Sequence, residues 1–112
     1  MNYLRIKKNT EFSKLFKKGK RTFSPSLTLI YIPSNEMRMG IALSKKHGKA
    51  VVRNRIKRLI REAFEKNSHI LKKNYSFVVM PRVAEEYSLK AFEKSMVSCF
   101  KKVNVCENSL KN

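Results

Sequence analysis

The sequence predicts a small single-domain α+β sandwich, with a mixed sheet of about four strands packed against helices in the order α-β-β-β-α-β-α. Three observations predict it. The chain has 112 residues, room for one core and too few for two ordinary domains and a linker. Hydrophobic residues make up 42% of it, with seven Phe and four Tyr, enough to fold despite a formal charge of +18. Apolar periodicity alternates between helical and extended spacing along the chain, with no internal repeat and no Gly/Ser-rich or Pro-rich linker. One domain over 1–112 is expected, structured over about 4–104 with a loose C-terminal tail.

Each element has its own signal. Asn9 to Lys18 reads as a short helix: Asn9 or Thr10 can cap it, Phe12, Leu15 and Phe16 fall at i, i+3 and i+4, and Gly19 can end it. A shorter strand is placed at Lys20 to Phe23. Leu27 to Ile32, rich in β-branched and aromatic residues, is a strand stopped by Pro33. Ser34, Asn35 and Glu36 turn the chain into a strand from Arg38 to Leu43, so an antiparallel pair is expected. After the polar link Ser44 to Gly48 comes a long helix from Lys49 or Ala50 to Lys66. Its Val52, Ile56, Leu59, Ile60 and Ala63 share one sector and are expected to pack on the sheet. Tyr75 to Met80 reads as a strand buried on both faces and closed by Pro81. Ser88 can cap a last helix in which Leu89, Phe92, Met96, Cys99, Phe100 and Val103 recur at helical spacing.

Charge narrows the function. Lys and Arg number 26 against 8 acidic residues, every one of them Glu, and such an excess calls for an anionic partner. Without Asp, a protein-held cluster of hard oxygen ligands is disfavoured, and with it metal-dependent hydrolysis by side chains alone; no metal site and no catalytic residue are assigned to the protein. Cys99 and Cys106 lack metal-ligand or disulfide-rich spacing, and reduced, mostly structural thiols are expected. No run approaches the length of a membrane span, and the charged amino terminus does not read as a signal peptide, so a cytoplasmic protein with no membrane partner is expected.

The charge is concentrated. Lys45, Lys46, Lys49, Arg53, Arg55, Lys57, Arg58 and Arg61 are eight cations within seventeen residues, with Glu62 the first acid after them. Arg53, Lys57 and Arg61 repeat at i, i+4 and i+8, and like charges at that spacing repel by a few tenths of a kcal/mol per pair unless water or a polyanion offsets them. Arginine can hold phosphate bidentately or stack on a base, and Asn54 can address a base edge or a 2′-hydroxyl, a mixture that suits RNA. A solvated helix face is the bland alternative, but it ordinarily carries interspersed glutamates. DNA is not expected as partner, since the basic helix is flanked by strands and lacks a preceding short helix.

The stretch Ser44-Lys45-Lys46-His47-Gly48-Lys49-Ala50-Val51-Val52-Arg53-Asn54-Arg55-Ile56-Lys57-Arg58-Leu59-Ile60-Arg61-Glu62 closely resembles the signature of the bacterial ribonuclease P protein family, the RNR motif. Arg5 to Asn9 with Phe12, Phe16 and Gly19 resembles the family's first helix, and Met39 to Leu43 the strand entering the motif, so that about residues 4–103 are covered. The resemblance implies a ribonucleoprotein endonuclease that removes the 5′ leader of precursor tRNA. In it a large RNA holds Mg²⁺ and performs the hydrolysis, and one protein accompanies each RNA. It implies an RNA face of Lys45, Lys46, Lys49, Arg53, Asn54, Arg55, Lys57, Arg58 and Arg61. It also implies a leader cleft lined by Phe12, Phe16 and Ile30, the last standing where the family often has a tyrosine. It further implies a left-handed crossover through the basic helix, against the usual right-handed rule.

Aromatic faces stack on unpaired bases with little regard to identity, as a variable leader requires. Core packing is the alternative for Phe12 and Phe16, and alternation leaves open whether Leu27, Leu29 and Tyr31 or Thr28, Ile30 and Ile32 face the cleft. His47 is expected in a loop near RNA and Gly48 at a backbone bend. The competing function is a ribosomal-type protein that binds folded RNA without catalysis.

Overall fold

The structure, a computed structural model, describes residues 3–109. Five strands form one sheet: β1 (Leu4–Arg5), β2 (Lys20–Phe23), β3 (Leu27–Pro33), β4 (Arg38–Ile41) and β5 (Tyr75–Pro81). Three helices pack on it: α1 (Asn9–Lys18), α2 (Ala50–Asn67) and α3 (Leu89–Ser109). Short 3₁₀ turns at Lys45–His47 and Ser68–Ile70 flank α2. The fifth strand is the short N-terminal β1, which the sequence reading missed because two residues carry no periodicity. α3 runs past the expected limit near residue 104; the expected looseness of the last residues falls at 110–112, outside the described residues.

The strand order is β1-β4-β5-β3-β2. This corrects the expected hairpin of Leu27–Ile32 with Arg38–Leu43. β3 pairs antiparallel with β5, β4 pairs parallel with β5, and the two strands the Ser34–Glu36 turn connects never touch as a ladder. The physical reason lies in β5, apolar on both faces and buried at Tyr75, Ser76, Phe77, Val78, Val79 and Pro81. Such a strand gains most at the centre, covered by helices on both sides. β4 also ends sooner than expected, at Ile41, though Ala42 N–H still donates to Val79 O at 3.0 Å.

The two sheet faces build two cores. Leu27, Leu29, Tyr31, Met39, Phe77 and Val79 meet Ile56, Ile60, Ala63 and Phe64 of α2 and Phe92, Met96, Cys99, Phe100 and Val103 of α3. Phe64, Phe77 and Phe100 sit edge-on or tilted at ring separations of 5.6–5.8 Å, the favoured aromatic geometry. The opposite face is smaller: Ile6, Ile30 and Val78 lie under Leu15 of α1. Alternation therefore resolves the open question, with Thr28, Ile30 and Ile32 on the α1 face.

Two local expectations change. α1 begins after Lys8 with no side-chain cap, so neither Asn9 nor Thr10 caps it, whereas Ser88 does cap α3, its Oγ accepting from Ala91 N–H at 3.2 Å. Val52 is 38% exposed and does not join the core on the sheet, lying beside Gly48 at the entry to α2 instead.

Candidate nucleic-acid interface

The basic segment is held rigidly at its start. Ser44 caps the Lys45–His47 turn, accepting from Lys46 N–H at 3.3 Å. Ser44 N–H donates to His47 Nδ1 at 3.1 Å, which leaves Nε2 as the protonated nitrogen, and Nε2 donates to Pro81 O at 2.7 Å. His47 is buried and therefore a clip between this turn and the end of β5, not the RNA-facing loop residue expected from sequence. Gly48 follows at φ +113°, a left-handed backbone that favours glycine, and the bend expected there is present.

From that turn α2 extends with three flanks. Ile56, Ile60, Ala63 and Phe64 are buried in the core. Arg53, Lys57 and Arg61 are half-buried along one side, and Asn54, Arg55, Arg58 and Glu62 point outward, exposed. Lys45, Lys46 and Lys49 are exposed at the entry turn. Among the described residues, no ion pair engages any of the eight cations from Lys45 to Arg61. Five of the eight glutamates pair with other cations: Glu11 and Glu36 with Arg38 at 3.2 and 3.5 Å, Glu62 and Glu93 with Lys66 at 3.5 and 3.8 Å, Glu107 with Lys20 at 3.2 Å.

The half-buried row borders a groove. One section, about 330 Å³, lies between Ile41 and Leu43 and the side chains of Arg53, Asn54 and Lys57. The next, about 310 Å³, has an apolar floor of Ile6, Phe12, Met39 and Ile41, with Lys57 and Arg61 on one wall and Arg5 and Lys7 on the other. Arg5 and Lys7 are interface residues absent from the expected RNA face; the sequence places them only in the stretch that resembles the family's first helix. Only the pairing of β1 with β4 carries them opposite α2. Arg53 Nε is shielded from solvent without a hydrogen-bond partner among the described residues, an unmet donor beside this groove.

The other candidate surface is the α1 face of the sheet. α1 crosses it from Gly40, where a Cβ would meet the Phe12 ring, to Ile30, where one on Gly19 would collide. Phe12 is half-buried and Phe16 is 37% exposed, so both can present ring surface. Ile30 is fully buried beneath α1 and offers no surface, which removes it from the expected cleft lining; Thr28 and Met80, paired across β3 and β5, are half-buried on the same face. Among the described residues, no group of three or more His, Cys, Asp or Glu could hold a metal ion. No helix among them is long and apolar enough to cross a membrane.

Comparison with known proteins gives one answer. A family model described as Ribonuclease P matches residues 1–104. A Ribonuclease P protein component from Bacillus pumilus is 39% identical over 111 residues, 96% of this chain and 93% of the relative. That of Clostridium acetobutylicum is 41% identical over 116 residues, covering 96% and 95%. Among solved structures, the RNase P protein of Staphylococcus aureus superposes with a TM-score of 0.77 at 31% identity, over 88% of this chain and 94% of that one. The RNase P protein of Thermotoga maritima gives 0.77 at 27% identity, over 88% and 96%.

Proposed function

The chain belongs to the bacterial ribonuclease P protein family, and from that membership we infer how its two surfaces divide the work of the enzyme. It is the protein subunit of a tRNA-processing endonuclease, which displaces the alternative of a ribosomal-type protein without catalysis. In our reading α2 and its entry turn dock on the catalytic RNA, with Lys45, Lys46, Lys49, Arg53, Asn54, Arg55, Lys57, Arg58 and Arg61 as the contact set. Phe12 and Phe16 grip the single-stranded 5′ leader of the precursor. The RNA subunit holds the Mg²⁺ ions and breaks the bond, one protein accompanies each RNA, and the particle works in the cytoplasm. The scatter of the glutamates, several of them paired with cations, supports leaving the metal to the RNA, because a hard cation needs several convergent oxygens.

The observation that carries this reading is the row of unpaired cations on α2. Like charges are tolerated at helical spacing when a polyanion neutralises them, and phosphates spaced along an RNA strand do so. Reconstitution tests it. Chain plus RNA subunit should remove the leader at Mg²⁺ levels where the RNA alone is slow, while RNA-free protein with precursor tRNA and Mg²⁺ should make no specific cut. A specific cut by the protein alone would overturn the division of labour.

A further inference from the structure

We propose that Phe23, at the end of edge strand β2, is a stacking site for an unpaired base of the leader, forming the outer end of the cleft that Phe16 borders. The proposal rests on the leader-cleft reading above and extends it to a part of the sheet that reading does not use.

The sheet register carries the argument. Phe23 pairs with Thr28, and Thr28 with Met80, so the three side chains lie side by side across β2, β3 and β5 on one face of the sheet. That face is the α1 face: the neighbouring β2 residue Thr22, opposite Leu29, is buried on the other side with the α3 core. Three strand spacings of about 4.8 Å separate the level of Ala42, just beyond β4, from Phe23, a strip of roughly 14 Å, long enough for more than one nucleotide.

α1 leaves this strip open. Glu11 reaches Arg38 at 3.2 Å, and Arg38 shares a row with Ser76 and Ile32 that lies beyond the Gly40–Val78–Ile30 row, so that edge of the helix faces away from the strip. Phe12 and Met80 pack against the same small core, and Phe16, one helical turn after Phe12, shares the edge of α1 opposite Glu11. Single exposed apolar side chains are ordinary on protein surfaces. Phe23 differs in being aromatic, 55% exposed, and in line with a half-buried floor that leads to the basic entry of α2.

Its backbone is also fixed. Lys102 Nζ donates to Phe23 O at 2.7 Å, tying the platform to α3. Arg21, exposed two residues earlier on the same face, stands ready for the phosphate of a stacked nucleotide. Ile30, at the position expected to supply an aromatic surface, is sealed under α1, so the outer stacking surface on the sheet side is Phe23.

The test uses the holoenzyme reconstituted from the chain and its RNA subunit, with precursor tRNAs whose leaders lengthen one nucleotide at a time. Wild type should gain affinity with each nucleotide that reaches the strip. Phe23→Ala should lose roughly tenfold on the long leaders and little on the shortest, and Phe23→Trp should restore the gain. Equal loss on all leaders, or an undiminished gain in Phe23→Ala, overturns the proposal. Phe16→Ala is measured alongside. If it abolishes the leader-length gain and Phe23→Ala does not, this proposal fails while the cleft stands; if neither variant alters it, the cleft reading fails too.

Discussion

Arg53 is pulled in two directions: its side chain lies half-buried along Ile41 and Leu43, yet its shielded Nε donates to nothing among the described residues. A phosphate or base acceptor in the groove offsets that cost, and the same row offers Lys57 and Arg61 to successive phosphates. Replacing Arg53, Lys57 or Arg61 by Ala should lower RNA affinity and flatten its dependence on log salt by about 0.7 to 0.9 per lost phosphate contact. Titration at several salt concentrations measures it, and an unaltered slope would take that residue out of the interface. Tyrosine hydroxyls make a second residue-scale case. Burial pushes the Tyr75 phenol above its usual pKa, with Glu107 and Cys106 adding to the shift; burial, then Glu65, does the same to Tyr3. The neutral form is thus favoured in the fold, so this contribution is complete below about pH 10 and declines as pH rises through the raised folded value. The Tyr75 hydroxyl has no partner among the described residues. Tyr75→Phe should therefore cost little at neutral pH and soften the alkaline decline seen by denaturant unfolding; an identical decline would contradict the assignment.

At the scale of elements, the aim of α2 depends on the turn before it. His47 joins that turn to the end of β5 through Ser44 N–H and Pro81 O, and Gly48 supplies the bend. His47→Ala leaves a buried carbonyl without its donor and should cost about 1–3 kcal/mol, lowering the melting temperature by several degrees. RNA affinity should fall with it, because the basic turn loses its fixed orientation. A variant that melts as wild type would show that the clip is idle. Helices were the most legible elements: α2 and α3 span many turns, and their apolar recurrence is long enough to be unambiguous. The exception, Val52, sits in the first turn beside Gly48 and stays exposed, since helical periodicity does not encode which surface each turn meets.

On the scale of the molecule, a charge of +18 acts twice, with opposite signs. Self-repulsion opposes the compact state, so raising ionic strength from about 0.01 M to about 0.15 M, which shortens the screening length from about 30 to about 8 Å, should raise the melting temperature of the free protein. The same change should weaken RNA binding through lost counterion release. Melting curves and binding isotherms across one salt series check both, and a melting temperature that falls with salt would mean that attractive pairs dominate. The two cores share one sheet, so α1, α2 and α3 are positioned against a common frame and the groove and the cleft keep a fixed relation.

The sequence by itself determined the class of fold, the identity of the basic segment and the family, because these follow from composition, helical spacing and a contiguous motif. Tertiary structure alone decided the rest. It placed β5 between β3 and β4, set Arg5 and Lys7 across a groove from Lys57 and Arg61, buried Ile30, turned His47 inward, and lined up Phe23 with Thr28 and Met80. Each of these joins residues far apart in the chain through strand register or packing of one face on another. Local periodicity says which residues share a face; the burial available to each strand decides what that face meets.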